Sequence, residues 1–367
     1  MDIHPFALAL ARPLGTARGD ITEREGFVVR LSVDGTTGVG EAAPLPDWTE
    51  SLAACEAALE RVAESEAETE PTALPTHETL ADAPAARHAV ASAVLDARAH
   101  AAGEPLARTL VDEAGNGAAP CASVPVNATV GDGGPEATAA AVASAVADGF
   151  GTVKLKVGAR SVAADIERIA AVRDRCPDIT LRADANGSWD LRAAERALEA
   201  FADHGVAYVE QPLPADPTPE SGTRRDLRAH AELRGLGVGI ALDESLAVGG
   251  EPVAAALDAA AADALVLKPM ALGGPDRAVA AAHAARNAGV QPVLTTTIDG
   301  ALARATAVHA AAAVPDVSAC GLATGDRLEC DLLDADPAPV ADGRVRVPDG
   351  PGVAGATRWH QGRTDRV

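Results

Sequence analysis

Lysine occurs only at Lys154, Lys156 and Lys268, although Lys+Arg together number 31 in this 367-residue chain. Lysines kept where arginine has replaced nearly every other basic residue are candidates for work that a permanent guanidinium cannot do, such as titrating near neutrality. Two of them lie in Val153-Lys154-Leu155-Lys156-Val157. Positions i and i+2 of a strand project to one side, so the two ammonium groups stand together. Each disfavours the other's charge, which yields a base able to act near pH 7. Three acids follow: Asp184 in Arg182-Ala183-Asp184-Ala185-Asn186, Glu210 in Val209-Glu210-Gln211-Pro212, and Asp243 in Leu242-Asp243-Glu244-Ser245. Val266-Leu267-Lys268-Pro269 comes next. Converging carboxylates repel unless a divalent cation sits among them, and an all-oxygen donor set suits Mg2+ rather than zinc. Asn186 and Glu244 are candidates either for a layer behind these acids or for caps, and Arg182, two positions before Asp184, is a candidate to share its direction. Taken singly, each feature has a plainer reading: an acid at a strand end caps the next helix, and a Lys-x-Lys is a solvated edge. Arg182 reads equally as half of a simple ion pair. The conjunction, with every lysine flanking three successive acids, favours a site.

Such a site needs a scaffold that brings distant segments to one rim. Strand-like runs occur at 124–130, 152–157, 180–183, 207–210, 239–242, 264–267, 292–297 and about 318–322, separated by alanine-rich helical stretches such as 137–147 and 277–288. Lys154, Asp184, Glu210, Asp243, Lys268 and Thr295 follow one another at steps of 25–33 residues. Eight strands at that period predict an α/β fold, a TIM-type (β/α) barrel, whose active site gathers at the carboxyl ends of the strands. An open doubly wound sheet would want a Gly-x-Gly-x-x-Gly turn, which Gly131-Asp132-Gly133-Gly134 imitates only loosely. Residues 1–120 read differently, as an α+β cap. Phe27–Val33 is a strand, 34–38 a turn, Val39 opens a second strand, and helices are expected over 50–68 and 84–102, with Pro105 and Gly115-Asn116-Gly117 marking the exit. The barrel is expected over 121–330, and 331–367 as a segment that packs back on the cap.

The formal net charge is −22 with a pI near 4.7. That balance argues against nucleic acid or an anionic membrane as a partner, since both need a basic face. No uncharged apolar run reaches the roughly 18–20 residues of a membrane span, and the N-terminus lacks a basic signal-peptide region. Five scattered cysteines without a Cys-x-x-Cys read as reduced thiols of a cytoplasmic protein. Many acids, few lysines and abundant alanine also suit a halophilic protein kept soluble in concentrated salt, although GC-rich codon usage favours arginine over lysine in the same way. Oligomeric state is not readable from the sequence.

The Lys-x-Lys, the three acids and the late lysine resemble the enolase superfamily, in its muconate-lactonizing-enzyme subgroup. Within that subgroup, Gly38-Val39-Gly40-Glu41-Ala42-Ala43-Pro44-Leu45-Pro46 is similar to the start of the o-succinylbenzoate synthase family. Thr295-Thr296-Thr297-Ile298-Asp299-Gly300-Ala301 and Cys320-Gly321-Leu322-Ala323-Thr324-Gly325 also look like that family. The family's PLPGFS-like loop reads Pro44-Leu45-Pro46-Asp47-Trp48-Thr49 here, a departure that bears on substrate contacts. The resemblance implies a Mg2+-dependent lyase (Mn2+ as a substitute) acting on a small-molecule carboxylate in menaquinone biosynthesis. Asp184, Glu210 and Asp243 would hold the metal, Lys156 would move the proton, Lys154 would assist it, and Lys268 would stabilise the intermediate from the opposite face. Trp48, Arg182, Thr297 and Thr324 are candidate substrate contacts, with Thr22 a further pocket residue. A mandelate-racemase-like site would need a histidine on the seventh strand, where Thr295–Thr297 stands. N-acylamino acid racemisation or dipeptide epimerisation uses the same two-lysine site, although the Asp-x-Asp of dipeptide epimerases is replaced by Gly321–Gly325. Muconate cycloisomerisation and a non-catalytic binding barrel complete the alternatives.

Overall fold

The computed structural model describes residues 1–16, 19–66, 74, 80–115 and 117–354. Alternation near the N-terminus, with Phe6, Leu8 and Leu10 buried and Ala7 and Ala9 exposed, makes a strand with one dry face. This strand, β1 (Asp2–Thr16), was not expected. It lies on the edge of an antiparallel sheet beside β2 (Gly19–Val33), which begins earlier than Phe27, and β2 pairs with β3 (Thr36–Ala42). The β2–β3 connection is only Asp34-Gly35, both at positive φ (49° and 79°), the signature of a two-residue hairpin turn. The expected turn over 34–38 is therefore shorter, because Thr36–Gly38 already pair with β2.

Helix α1 (Leu52–Glu66) matches the described part of the helix expected over 50–68; residues 67–68 lie outside the described residues. Helix α2 (Pro84–Ala102) starts on a proline and ends at Gly103 in the left-handed region, two strong boundary signals. It packs against β3 at close range: a Cβ at Gly38 or Gly40 would run into the carbonyls of Ala93 or Ala89. Helix α3 (Leu106–Glu113), not expected, follows Pro105. On its other side α2 meets the barrel, where the buried Arg87 bonds to the Gly273 carbonyl at 2.5 Å and to Asp276 at 2.8 Å.

The run expected over 124–130 divides into β4 (Ser123–Pro125) and β5 (Ala128–Val130). Then come α4 (Pro135–Ala147), β6 (Thr152–Lys156), α5 (Val162–Arg175), β7 (Thr180–Asp184), α6 (Leu191–Ala202) and β8 (Val206–Glu210). A small hairpin, β9 (Pro219–Glu220) and β10 (Thr223–Arg224), leads into α7 (Arg225–Leu233). The rest runs β11 (Gly239–Leu242), α8 (Pro252–Asp258), β12 (Ala264–Leu267), α9 (Pro269–Leu272), α10 (Pro275–Asn287), β13 (Gln291–Leu294) and α11 (Ala301–Ala312). Seven strands form one parallel sheet in the order β5-β6-β7-β8-β11-β12-β13.

Instead of a full eighth strand over 318–322, two residues close the ring: Cys320 bridges to Val126 and Gly321 to Thr295, both parallel. The approach is close enough that a side chain at Gly321 would collide with Thr295, whose hydroxyl donates to the Gly321 carbonyl at 2.8 Å. The result is a capped TIM-type fold. The expected C-terminal segment is described to residue 354. Its strands β14 (Val340–Ala341) and β15 (Arg344–Arg346) form a sheet with β4, while Gly352 pairs with Pro105 and the Val353 amide donates to Asp96 of α2. Residues 355–367 lie outside the described residues.

One apolar cluster runs from the cap sheet through α2 to α10 and α11, and a second fills the space between β6–β8 and helices α4–α6. All five cysteines are free, and among the described residues no helix is long and apolar enough to cross a membrane.

Candidate active site

In-register parallel pairing places the chemistry side by side. Lys154 is opposite Arg182, Lys156 opposite Asp184, and Asp184 opposite Glu210. Leu155, between the lysines, is buried in the cluster behind the sheet, so both lysines face the barrel interior. Asp243 follows β11 and Lys268 follows β12, four strand positions round from β6 in a ring of eight, hence opposite the lysine pair.

The groups meet as ion pairs. Lys154 Nζ lies 2.8 Å from Glu210 Oε1 and 3.0 Å from Asp184 Oδ2; Lys156 Nζ donates to the same Asp184 oxygen at 2.7 Å and to Asn186 Oδ1 at 2.8 Å. Lys268 Nζ donates to both oxygens of Asp243 at 2.6 Å. Asn186 donates through Nδ2 to Glu244 Oε1 at 3.0 Å, which joins these two side chains to each other. Among the described residues no three His, Cys, Asp or Glu side chains stand close enough together to hold a metal ion; each of the three acids is met by an ammonium.

Burial pushes the Glu210 carboxyl up to about 7, with Asp184 adding to it, and pushes Asp243 up to about 6 against the pull of Lys268. Asp184 is equally buried, yet Lys154 and Lys156 together hold it well below the usual carboxylate range. Burial alone would lower the Lys154 ammonium, but Asp184 and Glu210 outweigh it and hold the pKa well above the ordinary value. The depression expected from its lysine neighbour is therefore not found at Lys154, because its near partners are carboxylates. Three ammoniums face four carboxylates here, and the buried Oε2 of Glu244 has no hydrogen-bond partner.

The surrounding shell contains residues that sequence reasoning missed. Gln211, fully buried at φ 40°, accepts the amides of Asp243 (3.0 Å) and Ser245 (3.1 Å) on Oε1 and so shapes the turn that carries Asp243. Arg168 of α5, itself paired with Asp165, donates to the Lys156 carbonyl at 2.8 Å and the Gly131 carbonyl at 2.6 Å. The glycine run at 131–134 is thus a braced turn before α4. A Glu-Gln-Pro tripeptide was the only visible signal for Gln211; Arg168 had none.

The candidate substrate contacts divide. Arg182 lies beneath Asp184 in the barrel, stacked on Tyr208 (4.9 Å) and bonded to the Ala319 carbonyl at 2.6 Å. Thr297 donates its hydroxyl to Asp299, and Thr324 shares a 3.0 Å bond with Thr296. Thr22 is exposed on β2. Only Trp48 reaches the charged centre, its ring centroid 3.2 Å from Lys268 Nζ. Beside it a cavity of about 870 Å3 lies between cap and barrel, lined by Trp48, Asp82, Leu246, Glu251 and Arg277 but by none of the lysines or the three acids.

The cap and barrel are also locked together near this rim. Glu41 on β3 accepts the amides of Gly300 (2.6 Å) and Ala303 (2.8 Å) at the N-terminus of α11, and Arg24 bonds to the carbonyls of Ala43, Pro44 and Ile298.

Comparison with known proteins gives two family matches, "Enolase C-terminal domain-like" over residues 137–357 and "MenC, N-terminal domain" over residues 1–95. An o-succinylbenzoate synthase of Thermobifida fusca is 39% identical over 223 residues, which cover 59% of this chain and 65% of that protein. The matched stretch thus spans just under two thirds of this relative. Among solved structures, an L-Ala-D/L-Glu epimerase from Bacillus subtilis is similar at TM-score 0.81 and 26% identity, covering 96% of this chain and 97% of that one. A dipeptide epimerase from Enterococcus faecalis, complexed with Mg and a dipeptide, is similar at TM-score 0.81 and 25% identity, covering 96% and 98%.

Proposed function

The chain belongs to the enolase C-terminal domain-like family, and on that premise we propose that it is a Mg2+-dependent o-succinylbenzoate synthase. It would dehydrate 2-succinyl-6-hydroxy-2,4-cyclohexadiene-1-carboxylate in menaquinone biosynthesis. The observation that carries this reading is the ring itself: every lysine in the chain meets one of three buried acids at the carboxyl ends of neighbouring strands. The likeness to the Thermobifida fusca enzyme and the MenC N-terminal match support the choice of substrate.

The donor set fits magnesium. It is all oxygen and buried, and it carries an excess of carboxylate together with the unpartnered Glu244 Oε2. A divalent cation (Mg2+, or Mn2+ in its place) on Asp184, Glu210 and Asp243 would bind the substrate carboxylate and offset the second negative charge that develops on it when the α proton leaves. Lys156 takes that proton at Nζ, leaving an enediolate. The lysine then delivers the proton to the departing hydroxyl on the same face, so the C–H and C–O bonds break, water leaves and the ring becomes aromatic. Lys154, held charged by its two acids, would help hold the substrate carboxylate. Lys268 presents its positive charge from the opposite side.

The test is ultraviolet absorbance of the aromatic product with purified protein, Mg2+ and this substrate. Turnover abolished by EDTA and by Lys156→Ala is expected; turnover that survives both would overturn the assignment. The epimerase structures support a second reading, epimerisation of dipeptides or racemisation of N-acylamino acids by the same lysines. Deuterium exchange at the α carbon of those substrates in D2O, without dehydration, would select it.

A further inference from the structure

The cap contributes a side chain to the charged centre, and it does so through a loop that is fixed on every side. Leu45–Thr49 forms a tight turn. The amides of Trp48 and Thr49 donate to the Leu45 carbonyl at 3.0 and 2.9 Å, and the Thr49 hydroxyl accepts from the Leu45 amide at 2.8 Å. Before the turn, Arg24 ties the carbonyls of Ala43 and Pro44 to that of Ile298 in the barrel. After it, Glu50 accepts the amides of Ala85 and Ala86 at 3.0 and 2.9 Å, capping the first turn of α2. Trp48 is therefore presented in one place. Its ring lies 3.2 Å from the Lys268 ammonium, whose other contacts are the two oxygens of Asp243. An aromatic face attracts an ammonium, and the attraction strengthens when water is excluded, as it is around the buried Lys268.

We propose that Trp48 is a positioning residue for Lys268: the pinned indole docks the ammonium from the cap side, so the cap sets where this cation stands. The inference rests on the reading of Lys268 as a working group of the site. A residue that only filled space would be replaceable by any large aliphatic side chain. A docking face requires an aromatic ring, so Phe would substitute and Leu would not.

With only three lysines in the chain, selective 13C labelling at the lysine ε carbon gives one signal per candidate group. In the full-length protein, one ε-methylene signal should stand upfield of the other two through the ring current of Trp48, and Lys268→Arg should remove it. Trp48→Leu should return that signal to the position of an ordinary lysine while leaving those of Lys154 and Lys156 in place, and Trp48→Phe should keep most of the shift. In turnover, Trp48→Leu should lower kcat roughly 3- to 30-fold, the range of one cation–π contact, with KM changed less, and Trp48→Phe should restore most of it. A Lys268 signal that is unshifted in the wild type, or unmoved by Trp48→Leu, overturns the proposal. The spectroscopic readout needs no turnover. A shifted signal in a protein that fails to dehydrate the substrate sinks the reaction assigned above and leaves the docking intact; the reverse pattern sinks the docking alone.

Discussion

Glu41→Gln offers a quantitative test of how cap and barrel are joined. Burial, reinforced by Asp299, pushes the Glu41 carboxyl from 4.5 up to about 8 against the pull of the amides of Ala303 and Gly300. Arg24, Asp299 and Asp331 face it, and His88, whose own pKa burial lowers, bonds to the Glu41 backbone carbonyl at 2.8 Å. Between pH 4.5 and 8 the folded protein keeps this proton and the unfolded chain has released it, so stability falls as pH rises through that window. From pH 6 to 8 the loss is about 2 kcal/mol, at 1.36 kcal/mol per pH unit and with the group half titrated at the upper end.

Glutamine does not titrate. It brings instead a fixed cost of about 1–3 kcal/mol, because its amide N–H faces a backbone donor. Because only the wild type loses stability over this range, the variant should gain about 3 °C in melting temperature relative to the wild type between pH 6 and pH 8, given an unfolding entropy of roughly 2.1 cal/mol/K per residue. Thermal melts of both proteins over this range measure it, and the other titrating groups cancel in the difference. A difference that stays constant, or that turns against the variant as pH rises, would mean that Glu41 is already ionised at pH 6, the helix amides and Arg24 having won over burial.

Gly40→Ala should destabilise by about 1–3 kcal/mol or more, since its Cβ meets the Ala89 carbonyl, whereas Gly131→Ala, with open space around it, should stay within about 0.5 kcal/mol in urea titrations. Arg87→Met, which strands Asp276, should cost about 3–5 kcal/mol, and adding Asp276→Leu should recover most of it. Gln211→Ala, by freeing the turn that carries Asp243, should weaken Mg2+ binding in calorimetry about 10- to 100-fold; unchanged affinity would show that the turn holds its shape without it. The charge of −22 should make the melting temperature climb with KCl between 0.1 and 2 M, as the Debye length shrinks from about 10 Å to below 3 Å; a flat profile would remove the case for salt adaptation.

The strands that carry the chemistry were legible because each is a short apolar run ending in a polar residue at a regular period, a pattern set by local sequence. The ends of α2 were legible for the same reason, through Pro84 and Gly103. Strand β1 was hidden because alanines occupy its exposed positions and Pro5 interrupts it, so the alternation of Phe6, Leu8 and Leu10 loses contrast. The closing pair Cys320–Gly321 is too short to carry a period at all. Contacts such as Glu41 with Gly300, or Trp48 with Lys268, join residues more than 200 positions apart, and no spacing rule reaches that far.

Every residue of α2 from Ala85 to Ala97 is buried, because the cap sheet lies on one side of this helix and the barrel on the other. A fragment ending near residue 120 would expose the barrel-facing side, Arg87 included, to water. The cap is thus a poor candidate for exchange between relatives as a cassette. A new lid from another chain would have to bring alanines matching its own sheet and an arginine matching the host's Asp276. Changes in what such a barrel accepts are more accessible through single replacements in the 45–49 turn, which touches the centre while leaving both faces of α2 as they are.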